Sequence, residues 1–289
     1  MADGWIILDK VSGVFSRTAG GRIARMFGTK KFGHIGTLDP MASGVLQIAI
    51  GGATKMIPFV EDANPHVKEY LFSAVFGIST DTLDITGTVT DTGKRVPTAD
   101  EISASLPQFI GKISQIPPVY SAVHIDGTRA YDLARRGQHV EMPPRVVEIF
   151  GLEMTDYAPP RATFRVRCAP GTYVRALGRD IAAACGTIAT VDMIRRTMSG
   201  GATIKDAVRL DFLENLVNNG ADIGQYLMPA DYGLGDIPVC NLDDKDAKLY
   251  KNGGFIRVDA NGPLRVYCGD EFIGIGAADD GLLRPKRTM

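Results

Sequence analysis

One stretch constrains this chain more than any other: Lys31-Phe32-Gly33-His34-Ile35-Gly36-Thr37-Leu38-Asp39-Pro40-Met41-Ala42-Ser43-Gly44. Its three glycines and its small residues leave the backbone uncovered, so a bulky partner can approach the main chain. The Asp39-Pro40 pair disfavours helix and sets an extended or turn geometry. The apolar run Val45-Leu46-Gln47-Ile48-Ala49-Ile50 follows and stops at Gly51-Gly52, which predicts a buried strand. Asp39 is the only carboxylate between Asp9 and Glu61. Composition alone favours an ordinary turn aspartate here, but a lone acid on a strand-anchored glycine loop is also where a catalytic carboxylate belongs. Spacing excludes two nucleotide loops: Gly33 and Gly36 do not complete G-x-G-x-x-G, and no G-x-x-x-x-G-K-[ST] surrounds Lys55.

A net charge of −1 gives no sign of a polyanionic partner, but the distribution of charge does. Lys10, Arg17, Arg22, Arg25, Lys30 and Lys31 precede Asp39 with no acid among them, and Arg161, Arg165, Arg167, Arg175 and Arg179 fill a second acid-free stretch. Acids collect after Lys205. This segregation predicts one basic face for phosphates. Cys168, Cys185, Cys240 and Cys268 are widely spaced without a C-x-x-C pair, so they read as reduced thiols of a cytoplasmic protein with no zinc site. No apolar run reaches the ~20 residues that span a bilayer, and no signal-peptide pattern opens the chain, so no membrane association is expected.

Along the chain, Gly4 to Leu8 predicts a strand and Asp9 to Gly13 a turn. Ser16 is placed to cap a helix reaching about Phe27, with Arg22 and Arg25 together on its polar side, suited to phosphate contact. Tyr70, Phe72, Ala74 and Phe76 alternate along a strand, as do Phe164, Val166 and Cys168 against outward Arg165 and Arg167. Thr98 and Glu101 form a capping box for a helix that Pro107 should kink or end. Arg129 and Arg136 bound a short helix that Gly137 stops. A helix from Thr172 to Gly186 carries Arg175 and Arg179 near its start, where the helix dipole disfavours a cation, so a partner elsewhere is expected. Short helices are predicted at Asp211–Asn218 and Asp222–Leu227, and from about Pro238 brief β-like runs alternate with turns.

The run from Gly33 to Lys55, with its Gly-His-x-Gly-Thr-Leu-Asp-Pro-x-Ala-Ser-Gly-Val-Leu core and Gly-x-Ala-Thr-Lys end, closely resembles the signature of the tRNA pseudouridine-55 synthases of the TruB type. Lys68-Glu69-Tyr70, Thr80-Asp81-Thr82-Leu83-Asp84, Gly171-Thr172-Tyr173-Val174-Arg175 and Val191 to Thr197 match further family segments. Ile194 stands where that family usually has a leucine beside the base. The resemblance implies an α+β fold with a large mixed, mostly antiparallel sheet flanked by helices. It implies a catalytic domain over 1–235, a mobile RNA-binding thumb at about 119–137, and a β-rich PUA-like RNA-binding module over 236–289. By the same resemblance Asp39 is the catalytic carboxylate, Arg175 its ion-pair partner and Tyr70 the ring stacked on the target base. His34, Tyr173 and Ile194 contact the substrate, and Lys55 serves as a structural or phosphate contact, with Arg22 and Arg25 on the RNA side. The implied partner is the tRNA T-stem-loop, met by a cytoplasmic monomer with no obligatory protein partner.

Isomerising uridine to pseudouridine breaks the N1–C1′ bond, turns the uracil and forms a C5–C1′ bond. No electrons are exchanged and no group enters, so neither metal nor cofactor is expected. One ionised carboxylate in a dry pocket suffices, by attack at C1′, addition at C6 or removal of a sugar proton. A buried carboxylate needs a counter-charge to stay ionised, the part given to Arg175. Two competitors remain: an RNA-guided relative acting in a multiprotein particle, against which the 119–137 insert argues, and an RNA-binding protein without turnover, against which Asp39, Tyr70 and Arg175 together argue.

Overall fold

The structure is a computed structural model and describes residues 2–63, 67–121, 123–125, 127–138 and 140–289. The chain forms two compact units, one of Met1–Pro40, Val45–Pro65 and Gly200–Met289, the other of Met41–Gly44 and His66–Ser199.

In the first unit the strand Gly4–Lys10 runs between Val208–Arg209, its parallel partner, and the strand Ser43–Ile50. The apolar run predicted as a buried strand is one, with every residue from Gly44 to Ile50 buried. The strand Phe32–Ile35, which the glycine content had suggested as loop, lies antiparallel to it, His34 opposite Ile48. Trp5, Ala49, Met56, Leu234 and Ile275 form one core here, and the Trp5 indole donates to the Ala230 carbonyl at 3.0 Å. The C-terminal residues add a five-stranded sheet, in the order Val239–Leu242, Gly262–Cys268, Glu271–Asp279, Leu282–Thr288, Ile256–Arg257, with a core around Tyr250, Val266, Ile273 and Leu283. A helix, Asp244–Lys251, capped by Asp243, interrupts the β-like runs read from the sequence. The helix expected at Asp222–Leu227 is a single 3-10 turn, Gly224–Tyr226.

The second unit is an antiparallel run of strands in the order Ala189–Ser199, Lys68–Phe76, Arg161–Cys168, Arg145–Ala158, Gly111–Gln115. Ser43 and Gly44 add a parallel edge opposite Arg195 and Arg196. Alternation sorts the faces as predicted: Phe164, Val166 and Cys168 are buried and Arg165 and Arg167 exposed, and Phe72 stacks on Phe164 with ring centroids 5.0 Å apart. Arg165 pairs across the strands with Glu153, its register partner. The capping box exists as read, Thr98 and Glu101 bonding reciprocally, and the helix Ala99–Ser105 tightens at Pro107 into a 3-10 turn, Leu106–Phe109. The helix Val174–Ala184 lies against the sheet, and a side chain at Gly178 would meet Val191 at 2.6 Å. Within the 119–137 insert, residues 122 and 126 and the side chain of Arg135 lie outside the described residues. Val123 and Ala130 of the insert form a small core with Met142, which Tyr173 flanks.

The architecture is thus α+β, a large mixed and mostly antiparallel sheet with helices and a C-terminal β-rich sheet. Among the described residues, no helix is long and apolar enough to cross a membrane.

Candidate active site

Asp39 lies in the loop between the strands Phe32–Ile35 and Ser43–Ile50, half-buried. The residues on either side of it are fastened by their main chains. Ser16 Oγ donates to the Leu38 carbonyl at 2.8 Å and accepts from the Leu38 N–H at 3.0 Å. On the other side the Pro40 carbonyl accepts from the Gly13 N–H at 2.8 Å and from Lys10 Nζ at 3.3 Å. Lys10 does not join the basic face that the charge distribution predicts, since it is 1% exposed. Its ammonium is turned inward onto the carbonyls of Val11, Val14 and Pro40. Ser16 had been read as a helix cap, yet the helix Ser16–Met26 is preceded by Phe15 at the cap position with no side-chain cap bond. The serine hydroxyl is used by the loop instead.

The loop ends where Gly44 enters the second unit's sheet. With φ of +103°, and with a Cβ there only 2.1 Å from the Arg196 carbonyl, no side chain fits. His34 Nε2 and Thr37 Oγ1 lie 3.1 Å apart, which ties the imidazole to its own loop. Lys55 Nζ donates to the Thr288 carbonyl at 3.0 Å. Arg22 pairs with Glu214 at 2.5 Å, while Arg25 is exposed, and both line a cavity of about 350 Å³ with Met26, Val217 and Asn218. Both arginines reach the surface, Arg22 with a side chain 37% exposed and held by Glu214.

In the second unit Arg175 occupies the first turn of Val174–Ala184 and is 4% exposed. Acceptors for a cation at a helix start are at hand: Nη1 lies 3.3 Å from Asp84 Oδ2 and donates to the Thr82 carbonyl at 2.7 Å, and Nη2 donates to the Tyr120 carbonyl at 2.9 Å. Asp84 is itself organised by its neighbours. Its Oδ1 accepts from Thr82 Oγ1 at 2.9 Å, from the Thr86 N–H at 3.0 Å and from Thr86 Oγ1 at 2.5 Å. Leu83 between them has φ of +64°, a strained value for a non-glycine residue. Asp84 was not among the residues singled out from the sequence, although the Thr-Asp-Thr-x-Asp pattern contains it. Tyr70, 8% exposed, faces Val166 and Arg196 on the two adjoining strands. Ile194 is buried opposite Phe72, and its carbonyl accepts from Ser43 Oγ at 3.4 Å. Gln115, 1% exposed, brackets Tyr173 by accepting from its N–H at 2.9 Å and donating to its carbonyl at 3.2 Å.

The model of the TruB family pseudouridylate synthase N-terminal domain matches residues 24–174, and that of the pseudouridine synthase II TruB C-terminal region matches 238–289. The chain belongs to the TruB family. Membership makes it a pseudouridine synthase, an isomerase. TruB relatives described as tRNA pseudouridine synthase B are 45% identical in Caulobacter vibrioides, over 84% of this chain and 78% of that protein, and 42% identical in Dinoroseobacter shibae, over 99% and 95%. A third, in Bradyrhizobium diazoefficiens, is 41% identical over 99% of this chain and 85% of its own. The fold is also that of a chain in an H/ACA RNP bound to a substrate RNA containing 2′-deoxyuridine, with a TM-score of 0.68, 20% identity, and coverage of 99% of this chain and 84% of that one. A chain of a Cbf5-Nop10-Gar1 complex matches with a TM-score of 0.65 and 23% identity, over 95% of this chain and 78% of that one.

Proposed function

We propose that this TruB-family enzyme acts on tRNA, isomerising the uridine at position 55 of the T-loop with Asp39 as its catalytic carboxylate. The observation that carries the reading is the half-buried Asp39 on a loop whose backbone is bonded on both sides of it, inside the segment that the family match covers. A carboxylate held this way enters the reaction without first being ordered, which is where a positioned group gains most of its effect.

The remaining residues take parts that follow from their chemistry. Tyr70 presents an aromatic face to the flipped uracil and a hydroxyl for proton removal from C5, offsetting part of the few kcal/mol that unstacking costs. Arg175 supplies positive charge in a water-poor setting, with Asp84 fixing its fork. Ile194 and Tyr173 bound the space open to the base, and His34 fills room near the displaced nucleotides. Lys55 braces the fold, and Arg25 with Arg22 meets phosphates. Residues 119–137 close over the stem-loop, and 236–289 act as a PUA-like RNA-binding module joined to the catalytic part, 1–235. The enzyme works as a cytoplasmic monomer without a protein partner. The bond changes need no electron carrier and no metal.

The test is incubation of the purified protein with an unmodified tRNA transcript tritiated at uridine C5, without additives. Forming the C5–C1′ bond displaces the C5 hydrogen, so tritium release counts turnovers and sequencing maps the site. Asp39→Asn is expected to abolish release while tRNA affinity stays within about twofold. Turnover by that variant would remove Asp39 from its role, and pseudouridine appearing outside the T-loop would overturn the position.

A further inference from the structure

We infer that Ser16 is a positioning residue for the reaction, its hydroxyl fixing the Leu38 peptide and through it the direction in which Asp39 projects. The inference rests on the assignment of Asp39 as the catalytic carboxylate.

Ser16 does not follow the local preference of its position. A serine at a helix start commonly turns its oxygen onto the free N–H groups of the first turn. Ser16 is the first residue of its helix and makes no such bond; the cap position belongs to Phe15, which has no group to offer. The hydroxyl reaches instead to a residue 22 positions away and bonds it twice, giving its proton to the Leu38 carbonyl at 2.8 Å and taking the Leu38 N–H at 3.0 Å. One side chain thereby satisfies both backbone groups of one loop residue, as a neighbouring strand would. Both Ser16 and Leu38 are buried, so water is a poor substitute.

The placement gives this bond its consequence. The Leu38 carbonyl belongs to the peptide that leads into Asp39, so holding it restricts rotation of that peptide and the path of the Asp39 Cα–Cβ bond. The following carbonyl, of Pro40, is held by Gly13 N–H and Lys10 Nζ. Asp39 is thus flanked by two anchored carbonyls, and Ser16 provides the anchor on its N-terminal side. Sub-ångström placement of a reacting group governs rate far more than it governs binding, and a displacement of about 1 Å can cost on the order of a hundredfold.

The experiment compares Ser16→Ala, Ser16→Cys and Ser16→Thr in the full chain. Tritium release from C5-labelled tRNA transcript, filter binding of the same RNA, thermal unfolding and hydrogen exchange at the Leu38 amide are measured for each. Ser16→Ala is expected to lower kcat between about 10- and 100-fold with tRNA Kd within about twofold, and to speed exchange at Leu38. Ser16→Cys, close in shape but a poor hydrogen-bonding partner, falls with it, and Ser16→Thr, which keeps the hydroxyl, recovers most of kcat. If Ser16→Ala does not fold, the Cys and Thr pair decides. Wild-type kcat in a folded Ala or Cys variant, unchanged exchange at Leu38, or a parallel loss of kcat and affinity would overturn the inference. Wild-type protein that forms no pseudouridine would refute the proposed function instead, with Leu38 exchange still reporting on the Ser16 bond.

Discussion

Replacing Arg175 by lysine separates the shape of this residue from its charge. The guanidinium reaches in two directions at once, to the Thr82 carbonyl and Asp84 through Nη1 and to the Tyr120 carbonyl through Nη2, while only 4% exposed. A lysine brings one nitrogen and cannot span both directions. At least one charge-assisted bond is lost, worth about 1.5–3 kcal/mol, and the carbonyl left behind is buried. The expected destabilisation is about 2–4 kcal/mol, which at roughly 2–4 °C per kcal/mol lowers the melting temperature by roughly 5–15 °C. Turnover measured well below that temperature should fall by about 100-fold or more, since the charge is retained but misplaced. Circular dichroism melts and tritium release supply the two numbers. A lysine variant that melts with the wild type refutes the fork argument, and one that melts early yet turns over normally removes Arg175 from the chemistry. Asp84→Asn, which keeps shape and removes charge, should be coupled to Arg175→Lys by about 0.5–3 kcal/mol in a double-mutant cycle.

Gly44→Ala should destabilise by about 3 kcal/mol or more in a denaturant titration, because φ is +103° and the added carbon would meet the Arg196 carbonyl. Arg25→Ala should weaken tRNA binding and reduce the slope of log K against log salt by about one unit, whereas Arg22→Ala should change it less, since Arg22 already pairs with Glu214. Equal slopes for the two variants would contradict that ordering. Burial pushes the Cys168 thiol from 9.0 up to about 11. The folded state then holds a proton that the unfolded chain has released, so the contribution of Cys168 to stability is steady below about pH 9 and falls by about 2–3 kcal/mol as pH rises to 11. Unfolding free energies of Cys168→Val should lack that decline.

Features governed by neighbouring residues were legible in the sequence. The alternation at Thr163–Cys168 reads correctly because one face of that strand is buried and the other carries arginines. The Thr98–Glu101 box reads correctly because both of its bonds are local. Lys10 was misplaced because a count of charges does not reveal that three carbonyls converge on its ammonium. Ser16 was given a local role because its tertiary partner lies 22 residues on. The unfavourable position of Arg175 signals a need for partners, but that Asp84 is one of them depends on how the Thr80–Thr86 segment folds back across the sheet, where Val191 bonds the carbonyl of Leu83 and the N–H of Ile85. The helix Asp244–Lys251 escaped notice because only Ala247 and Tyr250 are buried, too few for a helical apolar stripe.

Tyr120 joins two parts of the second unit. Its carbonyl is held by Arg175, and Val123, three residues on in sequence, packs with Ala130 and Met142 in the small apolar cluster that Tyr173 flanks, two residues before that same arginine. Arg175 is thus tied to this cluster twice, through the carbonyl it holds and through Tyr173 at the start of its own helix.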